Sequence, residues 1–133
     1  MRKVMIIGLI LIICLLSISA SAAGLKYPEV FENPDVTFED LACTAYCCGT
    51  ITATGVPVHE GICANNKHVG DLAVLYLEDG TYLGTFECCD TGGTVGLKKG
   101  VVIDVYRENY ERCVEWMKLT RGRVRVMWIP GEG

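Results

Sequence analysis

The sequence predicts a small, mainly β protein: a closed β-barrel with one short helix, stapled by disulfide bridges. Three observations predict it. Short apolar or alternating runs are separated by glycine-rich turns, one stretch shows helical periodicity, and seven of the eight cysteines follow residue 22. The length of 133 residues suits one compact domain.

Residues 1–22 predict a secretory signal peptide. The basic start MRKVM is followed by an apolar run and then by the small residues Ala20–Ala22, which suit signal-peptidase cleavage. A transmembrane anchor is the alternative, but the apolar run is shorter than the ~20 residues of a membrane span, and no basic stop follows it. We therefore expect a secreted or cell-envelope protein without stable membrane insertion after processing.

The charge balance is acidic. The formal net charge is −4 for the whole chain, and removal of Arg2 and Lys3 with the leader leaves ten basic and sixteen acidic residues. An acidic chain gives no electrostatic support for binding the phosphates of nucleic acid or of an anionic membrane. We therefore expect no nucleic-acid partner.

The leader is followed by a linker and then by the domain. Residues 23–40 contain prolines and acids with little periodicity, which is typical of a linker, so the domain is predicted to span residues 41–130. Within it, the stretch TITATGVPV favours a weak strand and a turn.

The remaining strands give clearer patterns. DLAVLYLEDGTYLGTFEC predicts a β-hairpin, because two strand-like runs flank the turn pair Asp79-Gly80. GVVIDVY is a β-branched run that predicts a buried strand. RVRVMWI alternates charged and apolar residues, which predicts a strand with one solvent-exposed face and one buried face.

One stretch, ENYERCVEWMK, predicts the single helix. Asn109 suits its N-cap, because a short polar side chain can accept a hydrogen bond from a free N–H of the first turn. Four residues at positions i, i+3, i+4 and i+7 predict one apolar face: Tyr110, Cys113, Val114 and Met117. A small closed β-barrel with one short helix fits this set of elements.

The cysteines after the leader predict disulfide bridges, because thiols outside the cell usually pair. Three bridges and one free thiol is the simplest count, and adjacent cysteines rarely bond each other. We expect at least two bridges that join the segment 43–48, or Cys63, to Cys88 and Cys89. The seven residues are Cys43, Cys47, Cys48, Cys63, Cys88, Cys89 and Cys113.

A zinc site is the alternative use of these thiols. The sequence has no C-x-x-C pair, and His59 and His68 do not lie at a usual ligand spacing from the cysteines. We therefore expect no metal and no cofactor, and we expect both histidines at the surface.

Two carboxylates differ from the other acids. Asp104 lies inside the apolar strand VVIDVY, where a charge costs free energy unless it is hydrogen-bonded or faces a cleft. Asp90 begins DTGGTVG, where glycines leave the backbone free to approach a ligand or to form a tight turn. The alternative is that Asp90 is a structural aspartate that binds loop amides. Residue type alone leaves both interpretations open.

Four stretches in a fixed order carry a family resemblance. They are TAYCCGTITATGVPVHEG, CANN, DTGG and IDVY. In this order they resemble the 3D domain family, which takes its name from three aspartates. The resemblance covers the chain from about Cys43 to Ile129. Each short motif alone is weak evidence for the family, whereas the four motifs in this order are specific for it.

The resemblance implies a six-stranded double-psi β-barrel that acts on the bacterial cell wall. Related domains occur in membrane-bound lytic transglycosylases of the A type and in muralytic enzymes of Gram-positive bacteria, which cut the glycan of peptidoglycan. The resemblance implies Asp104 as the general acid and then base, with Asp90 as its neighbour. An apolar strand and a nearby like charge both help a carboxyl group to hold a proton. The residues expected to bind substrate are Asn65, Thr91, Gly92, Gly93, Thr44 and Tyr46, with barrel packing as the alternative for the last two.

The chain departs from the family in three ways. Asn65 stands where the first of the three aspartates is expected, so one negative charge is missing. The spacing of fourteen residues from Asp90 to Asp104 is longer than the family's, which predicts a longer loop at TVGLKKG. The cysteine-rich insert that is common after T-A-Y-C is shortened to CCG.

The function that these patterns predict is a secreted enzyme that cleaves the O-glycosyl bonds of peptidoglycan by hydrolysis or transglycosylation. Its partners would be the glycan strands. A non-catalytic glycan-binding module is the first alternative, and a small disulfide-rich secreted effector is the second. Trp116 and Trp128 could stack on sugar rings, but aromatic residues in a helix or strand are expected to pack in the core.

Overall fold

A computed structural model describes residues 37–131 of the protein. This part of the chain is mainly β, as predicted, and contains six strands and two helices. In chain order the elements are β1 (Phe38–Tyr46), β2 (Ile62–Ala64), β3 (Leu72–Tyr76), β4 (Tyr82–Asp90), α1 (Val95–Lys99), β5 (Val102–Tyr106), α2 (Tyr110–Thr120) and β6 (Arg123–Ile129).

The six strands form one closed barrel in the order β1-β5-β2-β4-β3-β6, with β6 joined back to β1. Two neighbouring pairs, β1 with β5 and β2 with β4, are parallel. The other four pairs are antiparallel. Closure leaves no unpaired sheet edge, so backbone N–H and C=O groups of every strand meet a partner on both sides. The predicted closed barrel is thereby confirmed.

The predicted hairpin is also confirmed. Strands β3 and β4 pair antiparallel, and the turn between them holds the predicted Asp79-Gly80 pair. Gly80 has a φ of 90°, a left-handed conformation that favours glycine. The Asp79 carboxylate accepts hydrogen bonds from the Thr81 amide at 3.0 Å and from its hydroxyl. The turn residues therefore fix the register of the hairpin.

The core lies inside the barrel and is built by alternation along the strands. In β5, Ile103 and Val105 are fully buried, whereas Asp104 between them points to the other face and is only partly covered. In β6, Val124 and Val126 alternate in the same way with half-exposed Arg125. Successive side chains of a strand point to opposite faces, so the apolar set packs inward and the polar set meets solvent.

Strand β1 begins at Phe38, three residues before the predicted start of the domain at Leu41. Phe38 pairs with Met127 of β6, so the end of the predicted linker belongs to the barrel. The predicted signal peptide and most of the predicted linker lie outside the described residues. Among residues 37–131, no helix is long and apolar enough to cross a membrane.

The prediction of a single helix is wrong, because the expected loop TVGLKKG forms α1. The Thr94 hydroxyl accepts a hydrogen bond from the Leu97 amide and so caps the N-terminal end. Gly100, with a φ of 76°, ends the helix in a left-handed conformation. Cap residues at both ends turn the longer connection between β4 and β5 into one ordered helical turn.

The second helix, α2, has the predicted cap, but it continues two residues beyond the predicted stretch ENYERCVEWMK and buries a different face. The Asn109 side chain accepts a hydrogen bond from the Arg112 amide at 2.9 Å. The buried residues are Cys113, Trp116 and Thr120, whereas Tyr110 is 74% exposed. Trp116 sets this orientation, because its indole N–H donates to the Cys43 sulfur at 2.9 Å. Its ring also packs edge-on against Phe86, with ring centroids 5.7 Å apart. The burial of Trp116, with its N–H hydrogen-bonded, therefore decides which face of α2 packs on the barrel, and the apolar periodicity of the sequence does not.

The expected disulfide bridges are not formed. All seven cysteines in the described part of the chain are free thiols. The Cys43 sulfur instead accepts a hydrogen bond from the Trp116 indole N–H inside the core. Burial raises the pKa of Cys43 to about 12, so this thiol stays protonated.

We predict that Asn109→Ala destabilises the fold by about 1 kcal/mol, because it removes the N-cap of α2 and leaves the Arg112 amide without its acceptor. Asn109→Ser is the matched control, since serine also caps helices and should retain most of the stability. Urea denaturation monitored by circular dichroism measures both. Equal stability of the alanine and wild-type proteins would contradict the assigned cap.

Candidate active site

One row of residues crosses four neighbouring strands of the barrel and carries both predicted catalytic carboxylates. Thr44 of β1 pairs with Asp104 of β5, Asp104 pairs with Ala64 of β2, and Ala64 pairs with Asp90 of β4. We call Thr44, Asp104, Ala64 and Asp90 the carboxylate row. Adjacent strands lie about 4.8 Å apart, so the two aspartate backbones are separated by roughly 10 Å, with Ala64 on the strand between them.

Asp104 is partly buried and has one neutral hydrogen-bond donor. The Thr44 hydroxyl donates to its Oδ1 at 2.9 Å. Burial raises the pKa of Asp104, the negative charge of Asp90 raises it further, and the Thr44 hydrogen bond acts in the opposite direction. Because Oδ1 accepts from Thr44, Oδ2 is the oxygen left to carry a proton. This is the environment of a carboxyl group that stays protonated at a higher pH than usual.

Asp90 has the opposite environment, with three donors on one carboxylate. The Tyr46 hydroxyl donates to Oδ2 at 2.9 Å, and the Ala53 and Thr91 amides both donate to Oδ1 at 2.9 Å. These three hydrogen bonds fix the position of the Asp90 carboxylate. Burial, followed by the hydrogen bond and the charge of Asp90, raises the pKa of Tyr46, so its hydroxyl remains a donor.

The loop at residues 50–58 covers this end of the row. It was predicted as a weak strand and turn, and it contains one isolated bridge between Ile51 and Pro57. The Thr54 hydroxyl donates to the Cys89 carbonyl at 2.9 Å, which docks the loop on β4. Ala53 therefore reaches Asp90 with its backbone N–H. Sequence reasoning missed this contact, because a backbone donor leaves no signature in the residue type.

Asn65, which was expected to bind substrate, is fully buried. Its Nδ2 donates to the carbonyls of Gly100 at 3.2 Å and Val102 at 3.0 Å, and its Oδ1 accepts from the Lys67 amide at 3.0 Å. No face of this side chain remains for a ligand. The structure therefore corrects the expected role: Asn65 ties β2 to the start of β5 behind the carboxylate row.

Three further residues expected to bind substrate lie in the loop after β4. Gly92 exchanges two hydrogen bonds with the half-buried side chain of Asn66, which donates to its carbonyl at 3.0 Å and accepts from its amide at 2.9 Å. A Cβ at Gly92 would collide with the Leu97 side chain, so α1 packs directly on this backbone. Thr91 and Gly93 are exposed next to Asp90. No sequence pattern pointed to Asn66, although its side-chain amide fixes the loop.

The histidines and tryptophans lie away from the carboxylate row. His59 is exposed. His68 is partly buried, because its ring stacks on Trp128 at 3.8 Å between centroids and its Nδ1 lies 3.0 Å from the Asp71 carboxylate. Trp116 is buried in the core, as expected. Within residues 37–131, no group of three or more His, Cys, Asp or Glu side chains is placed to hold a metal ion.

Two surface cavities also lie apart from the two aspartates. One of about 490 Å³ is lined by Leu77, Glu78, Asp79, Leu119, Thr120, Arg121 and Arg123. The other, of about 450 Å³, lies beside α2 and is lined by Ala45, Tyr110, Cys113, Val114, Met117 and Lys118. The carboxylate row is instead a partly exposed face of the barrel. Its chemistry, and not cavity volume, makes it the candidate site, because a polymer can lie along an open face.

Neither the models of known protein families nor the sequences of curated proteins match this chain. Two carboxyl groups with different environments on β5 and β4, the two strands that flank β2, suit general acid–base chemistry.

We predict that Asn65→Asp destabilises the fold by on the order of 3 kcal/mol at neutral pH, because a carboxylate cannot donate to the carbonyls of Gly100 and Val102. Burial would raise the pKa of the new carboxyl group, so the loss is present above that pKa and shrinks as the pH falls through it and the group becomes protonated.

Asn66→Asp is the matched control, since Asn66 is half-buried and loses only its bond to the Gly92 carbonyl. Urea denaturation at neutral and acidic pH compares the two variants with the wild type. Wild-type stability of Asn65→Asp at neutral pH would show that residue 65 can carry a charge.

Proposed function

We propose that this protein is a secreted enzyme that cleaves the glycosidic bonds of peptidoglycan, with Asp104 as the general acid and base. One observation carries the proposal. The carboxylate row sets a carboxyl group with a raised pKa, Asp104, two strands away from a carboxylate held by three donors, Asp90. Cleavage of a glycosidic bond needs this pairing of a protonated acid with a neighbouring negative charge.

In the proposed reaction, Asp104 acts twice. Its Oδ2 first gives a proton to the glycosidic oxygen, and the bond between that oxygen and the anomeric carbon of the muramic acid residue breaks. The resulting carboxylate then takes the proton of the C6 hydroxyl of the same sugar, whose oxygen bonds to the anomeric carbon and closes a 1,6-anhydro ring. The proton count balances, and neither water nor a protein nucleophile is needed. Attack by water in place of the C6 hydroxyl would give hydrolysis.

Thr44 and Asp90 support this reaction through charge and position. The Thr44 hydroxyl donates to Oδ1 in both protonation states of Asp104, so it fixes the direction of the proton-bearing oxygen. The negative charge of Asp90 favours the protonated form of Asp104 before the reaction. The same charge stabilises the positive charge that develops on the sugar ring during bond cleavage.

We further propose that the barrel is of the double-psi type and that the chain is related to the 3D domain family. The ordered motifs support this relation, because IDVY and DTGG supply the two carboxylates of the row. The two parallel strand pairs, β1 with β5 and β2 with β4, support the double-psi topology. The missing first aspartate does not remove a charge from the exposed face, since Asn65 is buried behind it.

The proposed location is outside the cell, with glycan strands as partners. The predicted signal peptide at residues 1–22 supports secretion. We propose one disulfide staple in that environment, between Cys63 and Cys88, which face each other in register on β2 and β4. Neighbouring parallel strands hold Cα atoms at a distance that a disulfide can span. This bridge agrees with the expected link from Cys63 to the central cysteine pair.

Asp104→Asn tests the proposed acid. The amide still accepts the Thr44 hydrogen bond but has no carboxyl proton, so cleavage should fall by at least ~10²-fold while the fold is retained. Glu115→Gln is the matched control, because it removes an exposed carboxylate on α2 that lies outside the carboxylate row. Mass spectrometry of purified peptidoglycan after incubation measures anhydro-muropeptides and reducing-end products.

Full cleavage activity of Asp104→Asn would show that the acid is another residue. Binding of glycan strands by the wild-type protein without any cleavage product would contradict the enzymatic proposal and favour the binding module.

A further inference from the structure

The seven free thiols of residues 37–131 fall into distinct environments. Cys43 is buried against the Trp116 indole, and Cys63 faces Cys88 between neighbouring strands. Cys89 is buried at the end of β4, and Cys48 is exposed. The remaining two, Cys47 and Cys113, are far apart in sequence but adjacent in space.

Cys47 and Cys113 connect the end of β1 to α2. Cys47 directly follows the last residue of β1, and Cys113 lies in the first turn of the buried face of α2. Cys43 and Ala45 lie on one side of β1, where the Cys43 sulfur accepts the Trp116 indole N–H and Ala45 lines the same cavity as Cys113. Cys47, two residues after Ala45, interacts with Cys113. The packing of β1 on α2 therefore brings these two side chains together, and both are free thiols.

The two sulfurs differ in accessibility. Cys47 is exposed, whereas only 8% of Cys113 is exposed. Burial, and then the hydrogen bond with Cys47, raises the pKa of Cys113 to about 11, so Cys113 is protonated at neutral pH. Cys113 borders the cavity of about 450 Å³ beside α2, next to Ala45 and Met117.

We propose that Cys47 and Cys113 form a redox-active dithiol, which thiol–disulfide exchange with a small disulfide such as oxidised glutathione converts into a disulfide bridge between β1 and α2. The bridge is distinct from the expected links to the central cysteines, since its second residue lies on the helix.

The exchange proceeds in two balanced steps. The exposed Cys47 thiolate attacks one sulfur of the small disulfide, forms a mixed disulfide and releases one thiolate. Cys113 then loses its proton, attacks the Cys47 sulfur and releases the second thiolate. Two protein thiols are oxidised to one disulfide, and one small disulfide is reduced to two thiols. The positive charge of Arg107, which lowers the pKa of Cys113, favours the thiolate needed in the second step.

The bridge would also restrain Tyr46, which contacts the carboxylate row. Tyr46 immediately precedes Cys47, and its hydroxyl donates to Asp90. A covalent link at residue 47 therefore limits the motion of Tyr46 relative to the barrel. The proposal for the thiols does not rest on the proposed glycan cleavage, and its test uses no substrate.

The test oxidises the purified reduced protein in a Cys48→Ser background with glutathione disulfide, followed by intact-mass measurement and non-reducing peptide mapping. We expect loss of the mass of two hydrogen atoms at a cross-linked pair of peptides that contain Cys47 and Cys113. In Cys113→Ser, Cys47 should instead keep one bound glutathione. In Cys47→Ser, Cys113 should stay unmodified, because it is buried.

A thermal melt gives the second readout. The bridge should raise the melting temperature by at least ~10 °C relative to the reduced protein, and Cys47→Ser should lose this gain. A stable glutathione adduct on Cys47 in the presence of Cys113, or a bridge from Cys47 to any other cysteine, would overturn the proposal.

Discussion

The short strand β2 is the constraint on which the rest of the site depends. It has only three residues, and its last one, Ala64, pairs with Asp104 on one side and with Asp90 on the other. A shift of this register by one residue would turn one aspartate to the opposite face of the sheet. The next residue, Asn65, fixes the register by tying the end of β2 to two carbonyls at the start of β5. The distance between the carboxylates is therefore set by backbone pairing and by a buried amide.

The two aspartates differ in how many hydrogen-bond donors reach them, because they occupy different positions in their strands. Asp90 ends its strand, so the amides of Ala53 and Thr91 can reach it from loops. Asp104 lies inside its strand, where neighbouring amides are used by the barrel, and only the Thr44 side chain reaches it. Position within a strand thus decides how many donors each carboxyl group receives. Within residues 37–131 no charged residue binds either carboxyl group, so the different numbers of donors follow from topology.

The sequence predicted the elements whose local pattern agrees with their packing. The hairpin around Asp79-Gly80, the strands β5 and β6 and the Asn109 cap are of this kind. It failed for the buried face of α2, because a distant contact decides it: Trp116 and its hydrogen bond to Cys43. It also missed α1, although the caps Thr94 and Gly100 are local, because the short stretch between them was interpreted as a loop. The two candidate carboxylates could be identified from sequence, but two of the four donors around them could not, since Ala53 and Thr91 donate through their backbone amides.

The central claim is that Asp104 holds its proton because of burial and the charge of Asp90. A carbon-detected NMR titration of the side-chain carboxyl groups measures this directly in the wild-type protein and in Asp90→Asn. The account predicts a pKa of Asp104 above the ordinary value of about 3.9, and a lower pKa in the variant, because the neighbouring charge is gone. A pKa of Asp104 at or below the ordinary value, unchanged by Asp90→Asn, would contradict the account.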